Sequence, residues 1–448
     1  MLQGWVVIAV ALAYIGLLFA VASYGDHLSQ RRKLGGRRPF IYALSLAVYC
    51  TSWTFFGSVG LAAHNGFDFL TIYIGAGLMI GIGYPLVRRI VQLSKSQNIT
   101  SIADFIAARY GKSQVVGAVV TVIAVIGVVP YIALQLKAVS NSLSTILADH
   151  PQLAGTIGET PILADTALFI AIALAVFAIL FGTRHIDATE HQDGLVLAVA
   201  AESLVKLLAF LTVGIFITFW MFGGPMNLLA KAAEHPEIVS LFTADKGGGR
   251  WVAMTFLSLV CIILLPRQFH VTVVENHSAG DVRKAAWLFP LYLVAINLFV
   301  VPIAIAGLLS FPAGGVDADM YVLALPQLAG SPWLTVVAFI GGLSAATAMV
   351  IVASVALAIM VCNDLVVPFV LRHRLEPASG LADMGAFLLN VRRIAIFAIL
   401  LFAYAYYRMV ADSAALASIG LLSFAAVAQF APDFFGGLVW RRATARGR

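Results

Sequence analysis

Eleven stretches of this sequence are apolar over the length needed to cross a hydrocarbon layer, and that repetition leaves few folds open. They run near 4–24, 40–63, 67–87, 115–148, 164–181, 194–222, 251–275, 285–309, 332–361, 394–409 and 413–440, here spans one to eleven. A helix supplies about 20 apolar residues to cross a bilayer. Because lipid offers backbone groups no partners, only helices or closed barrels can cross it. The chain is therefore expected to be an all-α polytopic membrane protein.

Charge gives the orientation. Only 11% of residues are charged, against roughly 25% in soluble domains, and mean hydropathy is +0.95. The net charge of +6 sits in short loops rather than on one domain face, so it reads as membrane-surface charge and not as a nucleic-acid footprint. Of the 28 Lys and Arg, 22 follow odd-numbered spans, among them Arg31, Arg32, Arg88, Arg267, Arg392 and Arg441. The positive-inside rule then puts the N-terminus outside and the C-terminus inside, in a bacterial cytoplasmic (inner) membrane. Ala20-Val21-Ala22 resembles a signal-peptide cleavage site, but Met1-Leu2-Gln3 carries no cation, so span one is expected to be a retained anchor. Cys50, Cys261 and Cys362 lie within or at the ends of spans and suggest neither a disulfide nor a metal site. The sequence has no Walker loop, GxSxG or HExxH motif, so neither an enzyme nor a cofactor is expected.

Ten spans after an extra N-terminal one divide into five plus five of opposite orientation, the geometry of an inverted-topology repeat. The expected organisation is a first helix and basic loop (1–38), one repeat (39–222), an external loop (223–250), a second repeat (251–440) and a basic tail (441–448). In such transporters the first helix of each repeat is broken at mid-membrane. Span two clusters hydroxyls and glycines from Cys50 to Gly60, and span seven carries Pro266 within Leu265–His270. Proline removes a helical donor, and unpaired backbone at membrane depth is tolerated only where it is buried in protein or lines a cavity. A Pro kink and a small-residue packing face are the plainer alternatives.

The runs Tyr42 to Gly66, Ile99 to Gly111, Tyr131 to Leu143 and Gly182 to Gly194 resemble the sodium:solute symporter family across about residues 40–440. Leu265–His270, Val274–Asn276 and Trp287–Tyr292 are similar to the transporter-like module of CbrA-type sensor histidine kinases. The resemblance implies a LeuT-type core of ten helices plus one, or about 11 in all. It also implies a small polar solute, most plainly an amino acid such as histidine, and a kinase joined in cis or acting in trans. Residues 1–448 hold no phospho-acceptor box or ATP lid, so no kinase is expected within them, and they lack the further spans that the family usually has beyond its ten-helix core, so a truncated, excised or shortened module is expected. Two function classes stay open: a symporter, and a solute-sensing receptor with little transport.

The resemblance further implies a cation site where broken span two meets span nine. Ala47 and Cys50 would offer carbonyls, with Ser344, Ala345 and Thr347 on the facing helix. Ala348 and Met349 fall where sodium-coupled members carry hydroxyls, and Tyr49 replaces an acidic residue typical of amino-acid symporters. A hard cation wants several oxygens, so of Na+ and H+ as coupling ions the proton, or uncoupled binding, is favoured. The candidate solute-binding residues are Thr51, Trp53, Tyr131, Gln135, Lys137, Gln268 and His270. Lys137 has no acid at helical spacing in its own span and reads either as a site residue or as a contact to another helix. His270 reads as proton-linked or as a structural histidine. Glu202 and Lys206 stand four apart on one helix face and are expected to pair, while Arg267 reads as either a solute ligand or an inner-surface anchor. The His- and acid-rich loop Thr183–His191 is expected to be an amphipathic connection rather than a metal site.

Overall fold

The computed structural model describes residues 4–30, 38–147, 165–182, 192–243, 248–311, 315–373, 381–410 and 416–440. Every apolar stretch anticipated from the sequence is mainly helical over its described part, several of them with short breaks. Among the described residues, seven helices are long and apolar enough to cross a membrane, or nine if each sharply bent pair is one span; a shorter apolar helix runs over Ala167–Leu180. The protein is thus a multi-pass membrane protein. The loop Thr183–His191, the basic residues 31–37 and the tail 441–448 lie outside the described residues. The 223–250 segment carries two short helices, Pro225–Ala233 and Pro236–Thr243.

The helix Pro332–Met360 is the hub, with nearly all its residues buried from Leu334 onward. A helix that is apolar all round has no polar face to show and belongs inside a bundle. Its small residues set how closely the neighbours come: a Cβ on Gly342 would stand 2.2 Å from the Phe56 ring, and one on Gly341 would stand 2.6 Å from the Phe55 ring. Surrounding helices turn large apolar side chains outward, including Leu12, Phe169, Phe256, Leu291 and Phe402. In water such a surface would be a liability; in a bilayer it is the contact with lipid.

Two helices are interrupted beside this hub. Span two runs as Arg38–Ser45, tightens over Leu46–Tyr49, turns extended at Cys50 (ψ 97°) and resumes in the wide turn Trp53–Gly57. Span seven ends its first half, Gly248–Leu264, at the extended residue Leu265 (ψ 124°); Pro266 opens the next helical turn. There the missing amide hydrogen of proline costs nothing, because the first turn of a helix has no acceptor for it.

Candidate functional site

The two breaks face each other. Gln268 Nε2 donates to Leu46 O (3.0 Å), and Tyr42 Oη donates to Thr272 O (2.7 Å). Span four stitches the first break from the other side: Ser52 N and Oγ both donate to Gln135 Oε1 (3.1 and 2.6 Å), and Gln135 Nε2 donates to Tyr131 O (3.2 Å). Thr51 Oγ1 lies 3.1 Å from Tyr131 Oη and accepts from Trp53 N at 3.2 Å. Tyr49 reaches Ser258 Oγ (3.0 Å) and Ile72 O (3.1 Å). Gln135 and Thr51 therefore satisfy backbone freed by the break, as orphaned amides inside a bundle require.

Other side chains at the junction keep polar atoms unspent. Arg267 is 1% exposed, its carbon Cζ lies 4.3 Å from the centre of the Tyr131 ring, and none of its three nitrogens has a hydrogen-bond partner. Gln268 Oε1 and Trp53 Nε1 are likewise buried without partners. His270 Nε2 lies 3.2 Å from Glu275 Oε1. The reading of Arg267 as a surface anchor is corrected by this burial, which the positive-inside count could not register. Trp53 and Tyr131, with Phe424, Tyr49 and Gly420, enclose a space of about 10 Å³, room for one water and no more. Thr51, Trp53, Tyr131, Gln135, Gln268 and His270 thus converge on the two breaks. Lys137, also buried, is an electrostatic neighbour of Asp319, in the segment before span nine.

The expected cation site is arranged differently from the resemblance. Lys206 Nζ donates to Ala47 O (2.7 Å) and to Cys50 O (2.6 Å), so the two carbonyls hold an ammonium of the protein itself. Ser344 Oγ donates to Glu202 O (2.8 Å), and Thr347 Oγ1 donates to the Glu202 carboxylate. Ala345 is buried and contributes no side-chain oxygen. Glu202 and Lys206 therefore do not pair directly as their spacing suggested; each is drawn to a different neighbouring helix. A sodium ion implied by the symporter resemblance does not fit these residues, because the hydroxyls that would complete its oxygen shell are turned to Glu202 and a tethered cation already meets both carbonyls.

A cavity of about 370 Å³ lies at one end of the bundle, lined by Arg89, Gln97, Arg109 and Asp433 among others. Its lining includes Phe105 and Phe434, stacked at 4.7 Å between ring centres. Both rings meet Phe269, at 5.7 and 6.2 Å, directly beside Gln268 in the chain. An aromatic cluster thus links the lining of this vestibule to span seven beside its break.

A match over nearly the whole chain among solved structures decides the fold. A structure described as the substrate-bound outward-open state of a Na+-coupled sialic acid symporter superposes with a TM-score of 0.66 over 98% of this chain and 88% of that one, at 15% identity. The chain has a symporter fold. Its curated relatives include two proteins of Bacillus subtilis (strain 168) described as uncharacterized symporters. YhjB is 25% identical over 324 residues, 71% of this chain and 61% of its own length. YodF is 24% identical over 272 residues, 60% and 51% respectively. The chain thus spans less than two thirds of either relative. No family model matches it.

Proposed function

We propose that this symporter-fold chain is a secondary transporter for a small solute bearing a carboxylate, most simply an amino acid such as histidine. It would work by alternating access between two five-helix repeats in the LeuT manner. The observation that carries the reading is Arg267, a guanidinium buried between two broken helices with three unpartnered nitrogens. A buried charge without partners is costly, and a planar carboxylate matches the guanidinium fork with two parallel hydrogen bonds. Gln268 Oε1 and Trp53 Nε1, also unpartnered, are an acceptor and a donor for the remainder of such a solute.

The closed space around Trp53 and Tyr131 holds no solute of that size, so binding requires those rings to move. The vestibule behind Phe105, Phe269 and Phe434 supplies a route for entry or release. The charge pattern supports a bacterial inner-membrane location with the N-terminus outside and the C-terminus inside. The symporter names of the relatives support transport over the receptor role of a kinase module, in which the same cavity would bind solute without moving it. The test is equilibrium binding of L-histidine and other amino acids to purified protein beside their decarboxylated amines. Acids that bind while the matching amines do not support the reading; equal binding of both removes Arg267 as the carboxylate receptor.

A further inference from the structure

The Lys206 ammonium is held by the two carbonyls that the symporter resemblance assigned to a cation at the first helix break. An interrupted helix ends in carbonyls short of their full helical pairing, where the negative end of the half-helix dipole favours a cation. Lys206 lies on span six, within Asp193–Ile215, and is 1% exposed. Its side chain crosses to span two and places Nζ 2.7 Å from Ala47 O and 2.6 Å from Cys50 O. Both are short, charge-assisted contacts. Cys50 N also donates to Ala47 O (3.0 Å), which closes the turn around the ammonium.

Span nine is arranged to match. The hydroxyls of Ser344 and Thr347 point at Glu202, one turn before Lys206 on the same helix, and not at the carbonyls of the break. Glu202 balances the ammonium charge without competing for its contacts. The charged and titratable groups around this pair are Cys50 on span two, Arg267 on span seven and Tyr14 on span one.

We infer that Lys206 is a built-in cation that makes the first break of this protein independent of sodium. The inference deepens the transporter reading and rests on it, yet its test needs no solute. Melting temperature would be measured in detergent with sodium or choline chloride at equal ionic strength, for the wild type, Lys206→Ala and Lys206→Met. Wild type should melt alike in both salts. Lys206→Ala leaves two carbonyls and room for an ion, so it should melt lower in choline and regain about 3 °C or more in sodium, the effect of a ligand that binds only the folded state. Lys206→Met fills the space with a neutral chain and should melt lower in both salts alike. Sodium stabilisation of the wild type by a similar margin would overturn the assignment, as would a folded Lys206→Ala indifferent to sodium. Should neither variant fold, the wild-type comparison alone decides in the same way. Failure of amino acids to bind would count against the carboxylate reading and leave this result standing.

Discussion

Arg267 and Gln135 are both buried polar residues at the same junction, yet they have opposite hydrogen-bond balances. Gln135 spends its amide on Ser52 and Tyr131 O, so it belongs to the scaffold. Replacing it with Leu leaves the Ser52 amide and hydroxyl unsatisfied, at about 1–3 kcal/mol for a buried polar group. Gln135→Leu should therefore lower the melting temperature of the solubilised protein clearly, which a thermal scan would check. Arg267 spends none of its nitrogens on protein. Arg267→Gln should keep the fold and weaken amino-acid binding by about tenfold or more, since hydrogen bonds to charged groups contribute about 1.5–3 kcal/mol; titration calorimetry reads it directly. At this scale the sequence revealed residue types but not their directions. The spacing of Glu202 and Lys206 predicted a pair, because helical geometry alone brings residues four apart together. The actual partners, Thr347 and the carbonyls of Ala47 and Cys50, lie 145 residues or more away in sequence, and no local pattern encodes that crossing.

At the scale of the element, interrupted helices were the most legible feature. The hydroxyl-rich run after Cys50 and the proline at 266 both marked real breaks, because a helix cannot pass a missing donor or competing hydroxyls without loss. The role of Gly341-Gly342 was less visible, since two glycines in an apolar helix look like a weak point. The structure makes them a contact surface for Phe55 and Phe56. Gly342→Val would drive side-chain atoms into the Phe56 ring, and overpacking of this kind costs about 1–3 kcal/mol. A lower melting temperature is expected for it, while Gly436→Ala, where no atom lies within 4 Å of the added carbon, should be neutral. Equal melting of the two variants would show that the close approach of span nine to span two carries no weight.

Across the whole molecule, opposite ends of the bundle are closed by different chemistry. One end is tied by Arg38, Asp193 and His277, with Arg38 Nη2 2.7 Å from Asp193 Oδ1 and His277 Nε2 3.1 Å from the same oxygen. At another, the segment before span nine is pinned by Asp319, whose Oδ2 accepts from Leu416 N (3.2 Å) and whose side chain lies against Gly60. Burial, with Asp317 beside it, pushes the Asp319 carboxyl up to about 7, while the Leu416 amide and Lys137 pull it down. A folded carboxyl that holds its proton more tightly than the unfolded one favours the folded state at low pH. Its contribution is greatest below the ordinary carboxylate range, falls as pH rises toward about 7 and is level beyond. Melting should therefore occur at a lower temperature at pH 8 than at pH 5, and Asp319→Asn should narrow that difference; an unchanged slope in the variant would assign the pH effect elsewhere.

The fold's overall helical, membrane-spanning character was open to sequence reasoning because hydropathy repeats eleven times. The closure of the centre was not, because it depends on how Trp53, Tyr131 and Phe424 meet across spans two, four and eleven. In the proposed function this arrangement moves a carboxylate-bearing solute across a membrane. The most direct test is uptake of labelled L-histidine and other amino acids into proteoliposomes, with proton and sodium gradients imposed separately. Accumulation above equilibrium that follows the proton gradient, ignores sodium and disappears in Arg267→Gln is the predicted result. Binding that never becomes accumulation under either gradient would contradict the account and make the protein a transporter-shaped sensor.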